Sequence, residues 1–175
     1  MDKIKNNIEN NLAIYLLIIT VLVVFLIITS IGNKEKEELT LLDTSTFNVV
    51  NSKTALELFN EKEPQLLIIG SKKCSATQNF VPILQISQAK EQYYINYLEL
   101  TDEDPSSKSY KYFVDKLDIP YVYNNEEKEL KEYMGRTPMI IIIKNKKIVY
   151  GSIGSMSENA LTQLTNTYGV SNEKS

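Results

Sequence analysis

The chain has one cysteine, and its neighbours could make that thiol reactive. Cys74 follows an apolar run that ends at Gly70, and it directly precedes a predicted helix. The unpaired N–H groups and the positive dipole end of a helix N-terminus favour a thiolate. Lys72 and Lys73 add positive charge, and the Thr77 hydroxyl, one turn further on, is placed to donate a hydrogen bond to the sulfur. We therefore predict Cys74, Thr77 and Lys73 as catalytic residues of a thiol site.

The same cysteine also fits a purely structural interpretation. Most free cysteines behave as small buried hydrophobes, and the chemistry of this stretch alone leaves both interpretations open.

The composition excludes several other kinds of site. The 175 residues include no histidine and one cysteine, so Ser-His-Asp and Cys-His catalytic units, an internal disulfide and a cysteine-rich zinc site are excluded. Lys and Arg number 19 against 22 Asp and Glu, which argues against a nucleic-acid partner. The acidic residues 102–104 lack an ordered ligand spacing and are interpreted as a solvated turn. We expect no cofactor and no metal.

A long apolar segment near the N-terminus predicts attachment to a membrane. Residues 12–31 contain no charge and no proline, and 20 helical residues span about 30 Å, the thickness of a bilayer core. A cleaved signal peptide is the alternative, with residues 30–32 as the cut, but its apolar region is normally shorter. A slight excess of basic groups before the segment places residues 1–11 inside the cell. We therefore predict a single-pass anchor in the cell membrane, in contact with lipid, and an extracytoplasmic domain.

The remaining chain predicts one α/β domain, residues 47–170, between a linker at 32–46 and a flexible tail at 171–175. Apolar runs and turn residues alternate along it with helical patterns. This order predicts a mixed central sheet with helices on both faces. The predicted strands are 47–51, 65–70, 93–100, 139–143 and 148–151, and the predicted helices are 52–59, 75–91, 106–117, 126–133 and 155–167, the last with a capping box at Ser155 and Glu158.

This pattern resembles the thioredoxin superfamily from about residue 47 to residue 168. In that family a Cys-x-x-Cys pair begins a helix, a proline follows eight residues after the first cysteine, and a cis-proline precedes the terminal hairpin. Cys74, Pro82 and Thr137-Pro138 occupy those positions here. The resemblance implies a thioredoxin-like fold, a cis peptide before Pro138, and substrate binding by Thr137 and Pro138 through the backbone.

The stretch from Ile68 to Leu84 further resembles membrane-anchored thioredoxin-like proteins of Gram-positive bacteria, some of them called bacteriocin-transport accessory proteins. This sequence departs from the family pattern at three places. Thr77 replaces the second cysteine, Lys73 replaces a tryptophan, and residues 65–69 lack a buried acid. Because a mixed disulfide at Cys74 has no internal resolving thiol, an external thiol is required.

Two functions follow from the resemblance. The first is a binding or accessory module that has lost redox turnover, and the second is a monothiol thiol-disulfide oxidoreductase that attacks a substrate disulfide. The expected partner is a protein, or a protein thiol or disulfide substrate. Residues 101–134 have no family counterpart, and their tyrosines are interpreted either as a partner surface or as packing, with packing favoured for Tyr112.

Overall fold

A computed structural model gives the structure of residues 19–21 and 42–170. Residues 19–21 are helical, and within the two described ranges no helix is long and apolar enough to cross a bilayer. The predicted cytoplasmic segment 1–11, the tail 171–175 and most of the predicted anchor 12–31 and linker 32–46 lie outside the described residues. The anchor therefore stays a prediction.

The described domain alternates strands with helices as the sequence predicts. Short 3-10 turns follow several elements, at Leu58–Asn60, Leu100–Asp102 and Leu130–Tyr133. In chain order the helices and strands are β1 (Asn48–Val50), α1 (Ser52–Glu57), β2 (Gln65–Gly70), α2 (Ser75–Glu91), β3 (Ile95–Glu99), α3 (Lys108–Asp115), β4 (Pro120–Tyr123), β5 (Glu126–Glu129), β6 (Met139–Lys144), β7 (Lys147–Ile153) and α4 (Glu158–Tyr168).

Five strands form one mixed sheet in the order β1-β3-β2-β6-β7. Strand β3 pairs in parallel with both β1 and β2, whereas β6 runs antiparallel to β2 and to β7. The predicted mixed sheet is therefore confirmed. Its central position buries β2 on both faces, which explains the continuous apolar sequence of that strand.

Helices cover both faces of this sheet. One core contains Leu67, Ile69 and Ile141 together with side chains from α1 and α3. The other contains Leu66 and Ile68 together with side chains from α2 and α4. Each fully buried aliphatic side chain contributes roughly 1.5–3 kcal/mol relative to exposure. Burial on both faces fixes the sheet that carries the cysteine loop.

Helix α2 begins where the sequence predicts and continues through Pro82. A proline inside a helix removes one backbone hydrogen bond, but the helix is anchored on each side of it. Phe80, Val81 and Leu84 are buried against the sheet. The helix ends at Gln92, whose left-handed backbone allows its N–H to reach Gln88 O at 2.8 Å.

One predicted element is wrong, and two smaller predictions need correction. Residues 126–133 are not an α-helix, because 126–129 form β5, which pairs with β4, and 130–133 form a 3-10 turn. Helix α1 is capped by Asn51, directly before the first residue of the predicted helix 52–59, and Ser157 rather than Ser155 caps α4. The side chain of Tyr112 is 55% exposed rather than packed, and it contacts the Lys116 ammonium.

Candidate functional site

Cys74 is the N-cap of helix α2, as predicted. Its extended backbone, with φ -99° and ψ 117°, directs the chain from the loop after β2 into the helix. Its N–H donates to Ser71 O at 2.9 Å, and its carbonyl accepts from Gln78 N at 3.0 Å. The residue is neither fully buried nor fully exposed, so the sulfur is held by the fold and still reachable from solvent.

The fold brings Thr137 and Pro138 to this cysteine across 63 residues of sequence. The Thr137-Pro138 peptide bond is cis, as the resemblance predicted. The Cys74 thiol donates to Thr137 O at 3.2 Å. Pro138 is buried, and its carbonyl accepts from Gly154 N at 2.8 Å at the end of β7. The thiol therefore faces the backbone that leads into β6.

Thr77 lies one helical turn after Cys74 and is fully enclosed, with 1% of its surface exposed. Its Oγ1 atom accepts from Ser71 N at 3.4 Å. Since that backbone donor occupies a lone pair of the oxygen, the Thr77 hydroxyl proton is available to the Cys74 sulfur. The Thr77 side chain is one of the groups that stabilise the thiolate.

The pKa of the Cys74 thiol is lowered from its ordinary value of 9.0. Partial burial is the largest single influence and raises it, but hydrogen bonds from the Thr137 side chain, from the backbone and hydroxyl of Thr77, and from the Ala76 backbone together outweigh burial. The contact to Thr137 O acts against this trend, because a carbonyl accepts only from the protonated thiol. The Thr137 side chain, Thr77 and the N–H groups of the helix N-terminus are thus what favours the charged form.

The two lysines before the cysteine are placed differently. Lys72 directs its ammonium to Asp102, at 2.6 Å, and the pair is partly exposed. The Lys73 side chain is exposed, and its backbone N–H donates to Ser71 Oγ at 3.2 Å. Neither ammonium is among the groups that shift the pKa of Cys74. A catalytic role of Lys73 stays a prediction.

Sequence reasoning missed an acidic residue beside the cysteine loop. Glu99 ends β3 opposite Gly70, and its carboxylate oxygens accept from Lys72 N at 2.9 and 3.1 Å. It also accepts from the Tyr97 hydroxyl at 3.1 Å and from the N–H and hydroxyl of Thr101. The signal was present in the sequence, since a single acid interrupts the apolar strand 93–100 at the edge where β2 leads to Cys74.

Tyr97 supports that carboxylate from within the core. Burial, followed by the Glu99 charge and hydrogen bond, raises the pKa of Tyr97 far above its ordinary value, so the phenol stays a hydrogen-bond donor. Its ring fills the space over Gly70, where an added Cβ would lie 2.3 Å from the phenolic oxygen. Glycine at position 70 therefore permits the tyrosine to reach Glu99.

A polar cavity of about 270 Å³ lies beside the β4–β5 hairpin. The Arg136 guanidinium, one residue before Thr137, lies 4.9 Å from the ring centroid of Tyr123. Lys128 pairs with Glu126 at 2.8 Å at the same cavity. The lining residues are Tyr123, Asn124, Glu126, Lys128, Glu132, Tyr133 and Arg136.

No group of three or more Cys, Asp or Glu side chains is placed to hold a metal ion in the part of the chain that the structure describes. Residues 102–104 are used otherwise. Asp102 pairs with Lys72, and Asp104 accepts from the N–H and hydroxyl of Ser106.

Comparison with known proteins finds likeness only at the level of structure. No model of a known protein family matches the chain, and no curated protein matches it. Among solved structures the chain is similar to a mutant thioredoxin from Halobacterium salinarum NRC-1, with 13% sequence identity and a TM-score of 0.48. The match covers 69% of this chain and 88% of that one. The chain itself is a mixed α/β protein whose thiol site is defined by its own geometry.

Proposed function

We propose that this chain is a thioredoxin-like protein whose Cys74 exchanges with disulfides of a protein substrate. The observation that carries the proposal is the placement of the sulfur. It lies at the N-terminus of α2, has a lowered pKa, and faces the backbone of Thr137 before a cis-proline. A structural cysteine needs neither the stabilised thiolate nor the adjacent backbone edge.

The exchange proceeds through one mixed disulfide. The Cys74 thiolate attacks one sulfur of the substrate disulfide, a new S–S bond forms, and the second substrate sulfur leaves as a thiolate. Thr77 occupies the position of a resolving cysteine and is closed off by burial. A second thiolate, from a small thiol or another protein, therefore attacks the mixed disulfide, releases the substrate thiol and restores Cys74.

Thr137 supports substrate binding in this proposal. It lies two residues before Met139, the first residue of β6, and β6 pairs with β2. An extended substrate segment that meets its backbone would place a disulfide sulfur near Cys74, because Thr137 O is already 3.2 Å from the thiol.

A binding or accessory module without redox turnover is the second candidate. The threonine at position 77 favours it, since a chain with one cysteine supplies no second thiol that could release a trapped partner. The proposal also includes the membrane anchor at residues 12–31, an extracytoplasmic domain and a relationship to bacteriocin-transport accessory proteins. The support for these three features is the apolar segment and the stretch from Ile68 to Leu84.

The pH dependence of thiol alkylation tests the reactive thiolate. Because Cys74 is the one cysteine of the chain, the rate of iodoacetamide incorporation into the full-length protein reports on that residue alone. We expect half-maximal reactivity clearly below pH 9, with no incorporation into Cys74→Ser. A wild-type profile centred at or above pH 9 contradicts the proposed exchange function.

Trapping and gain of function separate the two candidates. In cells, an exchange protein forms mixed disulfides that run as higher bands without reductant and vanish in Cys74→Ser. Thr77→Cys adds the resolving thiol and is expected to give the purified protein catalytic disulfide reduction in the presence of a regenerating dithiol. If Cys74→Ser keeps its cellular partners and Thr77→Cys shows no reduction, the binding module is the function.

The proposed orientation has its own test. A membrane-impermeant maleimide applied to intact cells is expected to modify Cys74, whereas Cys74→Ser stays unmodified. Labelling that appears only after the membrane is opened contradicts an extracytoplasmic domain.

A further inference from the structure

The loop between β2 and α2 is held by hydrogen bonds on nearly every backbone group. Ser71 N donates to Thr77 Oγ1, Ser71 O accepts from Cys74 N, and Lys72 O accepts from the Gln78 side chain at 2.8 Å. These bonds lie within residues 71–78 and tie the loop to the start of its own helix. The bond from Lys72 N to Glu99 is different, because it ties the loop to strand β3.

A second interaction joins this loop to the segment that follows β3. The Lys72 ammonium pairs with Asp102, but the two side chains are 33% and 64% exposed. Exposed ion pairs contribute little and do not fix a backbone. Both oxygens of the Glu99 carboxylate instead accept from Lys72 N, and the Tyr97 hydroxyl donates to the same carboxylate from the core side.

We propose that Glu99 is a positioning residue for the Cys74 thiolate, because its carboxylate fixes Lys72 and thereby holds the adjacent Ser71 N–H on Thr77 Oγ1. This inference rests on the proposed exchange function and deepens it. With its lone pair engaged by Ser71, the Thr77 hydroxyl presents its proton to the sulfur. Glu99 thus acts through the loop rather than by contact with the substrate.

The charge of Glu99 would have the opposite effect. A carboxylate near the thiol disfavours the thiolate and raises the pKa of Cys74. Positioning of the loop by Glu99 lowers that pKa, so the two effects differ in sign. Tyr97 on β3 interacts with the Cys74 charge. The other charged groups on the neighbouring segments are Lys72 and Lys73 in the loop, Asp102 as the ion-pair partner of Lys72, and Arg136 before the cis-proline. None of them changes in the two variants that decide between these effects.

Glu99→Gln keeps the length of the side chain and one carbonyl acceptor for Lys72 N but removes the charge. Glu99→Asp keeps the charge but is one methylene shorter, which moves the acceptor away from the loop. If Glu99 positions the loop, the alkylation profile of Glu99→Gln overlays that of the wild type. Under the same hypothesis Glu99→Asp shifts to higher pH by about one unit, which corresponds to roughly tenfold slower alkylation below the pKa.

The control is Asp102→Asn, which removes the exposed link from Lys72 while leaving Glu99 in place, and its profile is expected to match the wild type. Thermal unfolding of each full-length variant establishes that the rates come from folded protein. A wild-type profile at Glu99→Asp, or a shift to lower pH at Glu99→Gln, overturns the positioning role. If the wild-type protein itself reacts half-maximally only at or above pH 9, the proposed exchange function is contradicted instead. The two failures are therefore distinguishable.

Discussion

The described chain contains two β-hairpins with the same kind of turn but very different surroundings. Strands β4 and β5 join at Asn124 and Asn125, with φ 52° and 64°, and strands β6 and β7 join at Asn145 and Lys146, with φ 53° and 64°. Two-residue turns with positive φ at both positions match the right-handed twist of the strands, and asparagine tolerates that conformation. Both hairpins therefore have the same turn geometry, with asparagine at both positions of the first turn and at one position of the second.

Burial distinguishes the two hairpins. All residues of β6 up to Ile143 are buried, whereas every residue of β5 is exposed. The β6–β7 hairpin lies in the central sheet and is preceded by the cis-proline that faces Cys74. The β4–β5 hairpin is a separate two-stranded sheet. The turns alone thus do not distinguish the two hairpins. The hairpin that is buried in the central sheet is the one that carries the cis-proline segment next to Cys74.

Strand β7 contacts the β4–β5 hairpin at Tyr121 and contacts the two residues that flank this hairpin, Ile119 and Leu130, at Gly151. An added Cβ at Gly151 would lie 2.4 Å from a methyl carbon of Leu130 and 2.9 Å from one of Ile119. The Tyr121 hydroxyl accepts from Ile153 N at 3.1 Å. The exposed hairpin is therefore attached to β7 by the packing of its flanking residues on Gly151 and by one hydrogen bond from a β7 backbone N–H to the Tyr121 side chain.

Truncation of a core side chain in β6 should have the largest effect. Ile141 is fully buried in the core on the α1 and α3 face, so Ile141→Ala is expected to cost about 2–5 kcal/mol of unfolding free energy. In β4, Val122 is 61% exposed, and Val122→Ala is expected to change it by about 0.5 kcal/mol or less. Urea titration measures both, and equal losses at the two positions would contradict the assignment of the core.

A smaller loss is expected where the hairpins are packed together. Gly151→Ala forces the Leu130 and Ile119 side chains to move, and overpacking of this kind costs about 1–3 kcal/mol. Val149→Ala, at a 39% exposed position on the same strand, is the matched control. If Gly151→Ala is as stable as the wild type in urea titration, the contact between the hairpins is looser than the structure indicates.

The contrast between the hairpins also explains what the sequence could predict. Strand β2 and helix α2 were predicted with their observed bounds, because a buried apolar run and a cysteine followed by a helical pattern leave few alternatives. The hairpin of β6 and β7 was predicted for the same reason. At 126–133 the alternating Glu and Lys residues suited a helix face equally well, and the decisive signal was the Asn124–Asn125 pair after an alternating strand.

Within the candidate site, sequence predicted the residues of the local motif but not the partner across the sheet. Cys74 and Thr137-Pro138 come together as the resemblance implied, and Thr77 lies beside the cysteine as its spacing of one helical turn predicted. Glu99 was missed because its role depends on the parallel pairing of β2 and β3, which places it opposite Gly70. Such a register is set by packing over the whole sheet and is not written in either strand alone.

Removing the hydroxyl that joins the two hairpins should cost less than overpacking Gly151. Tyr121→Phe leaves Ile153 N without its acceptor, and the loss of one such hydrogen bond costs about 0.5–1.5 kcal/mol. Hydrogen exchange is expected to be faster at the Ile153 amide and unchanged at the Ile141 amide. Unchanged exchange at both amides would show that another acceptor replaces the phenol.

Of the test variants, as distinct from the exposed control Val122→Ala, the smallest effect is expected at Arg136, which directly precedes Thr137. Its guanidinium lies on the Tyr123 ring and is exposed to solvent, so Arg136→Gln should cost about 0.5–1 kcal/mol at most. The alkylation profile of Cys74 should superimpose on that of the wild type, because the sulfur faces the Thr137 carbonyl and the helix N-terminus rather than the cavity. Tyr123→Leu, which removes the ring but keeps the cation, is the control. A shifted profile in Arg136→Gln alone would mean that the charge beside the cis-proline acts on the thiolate, and the exposed hairpin that holds that charge would then belong to the site.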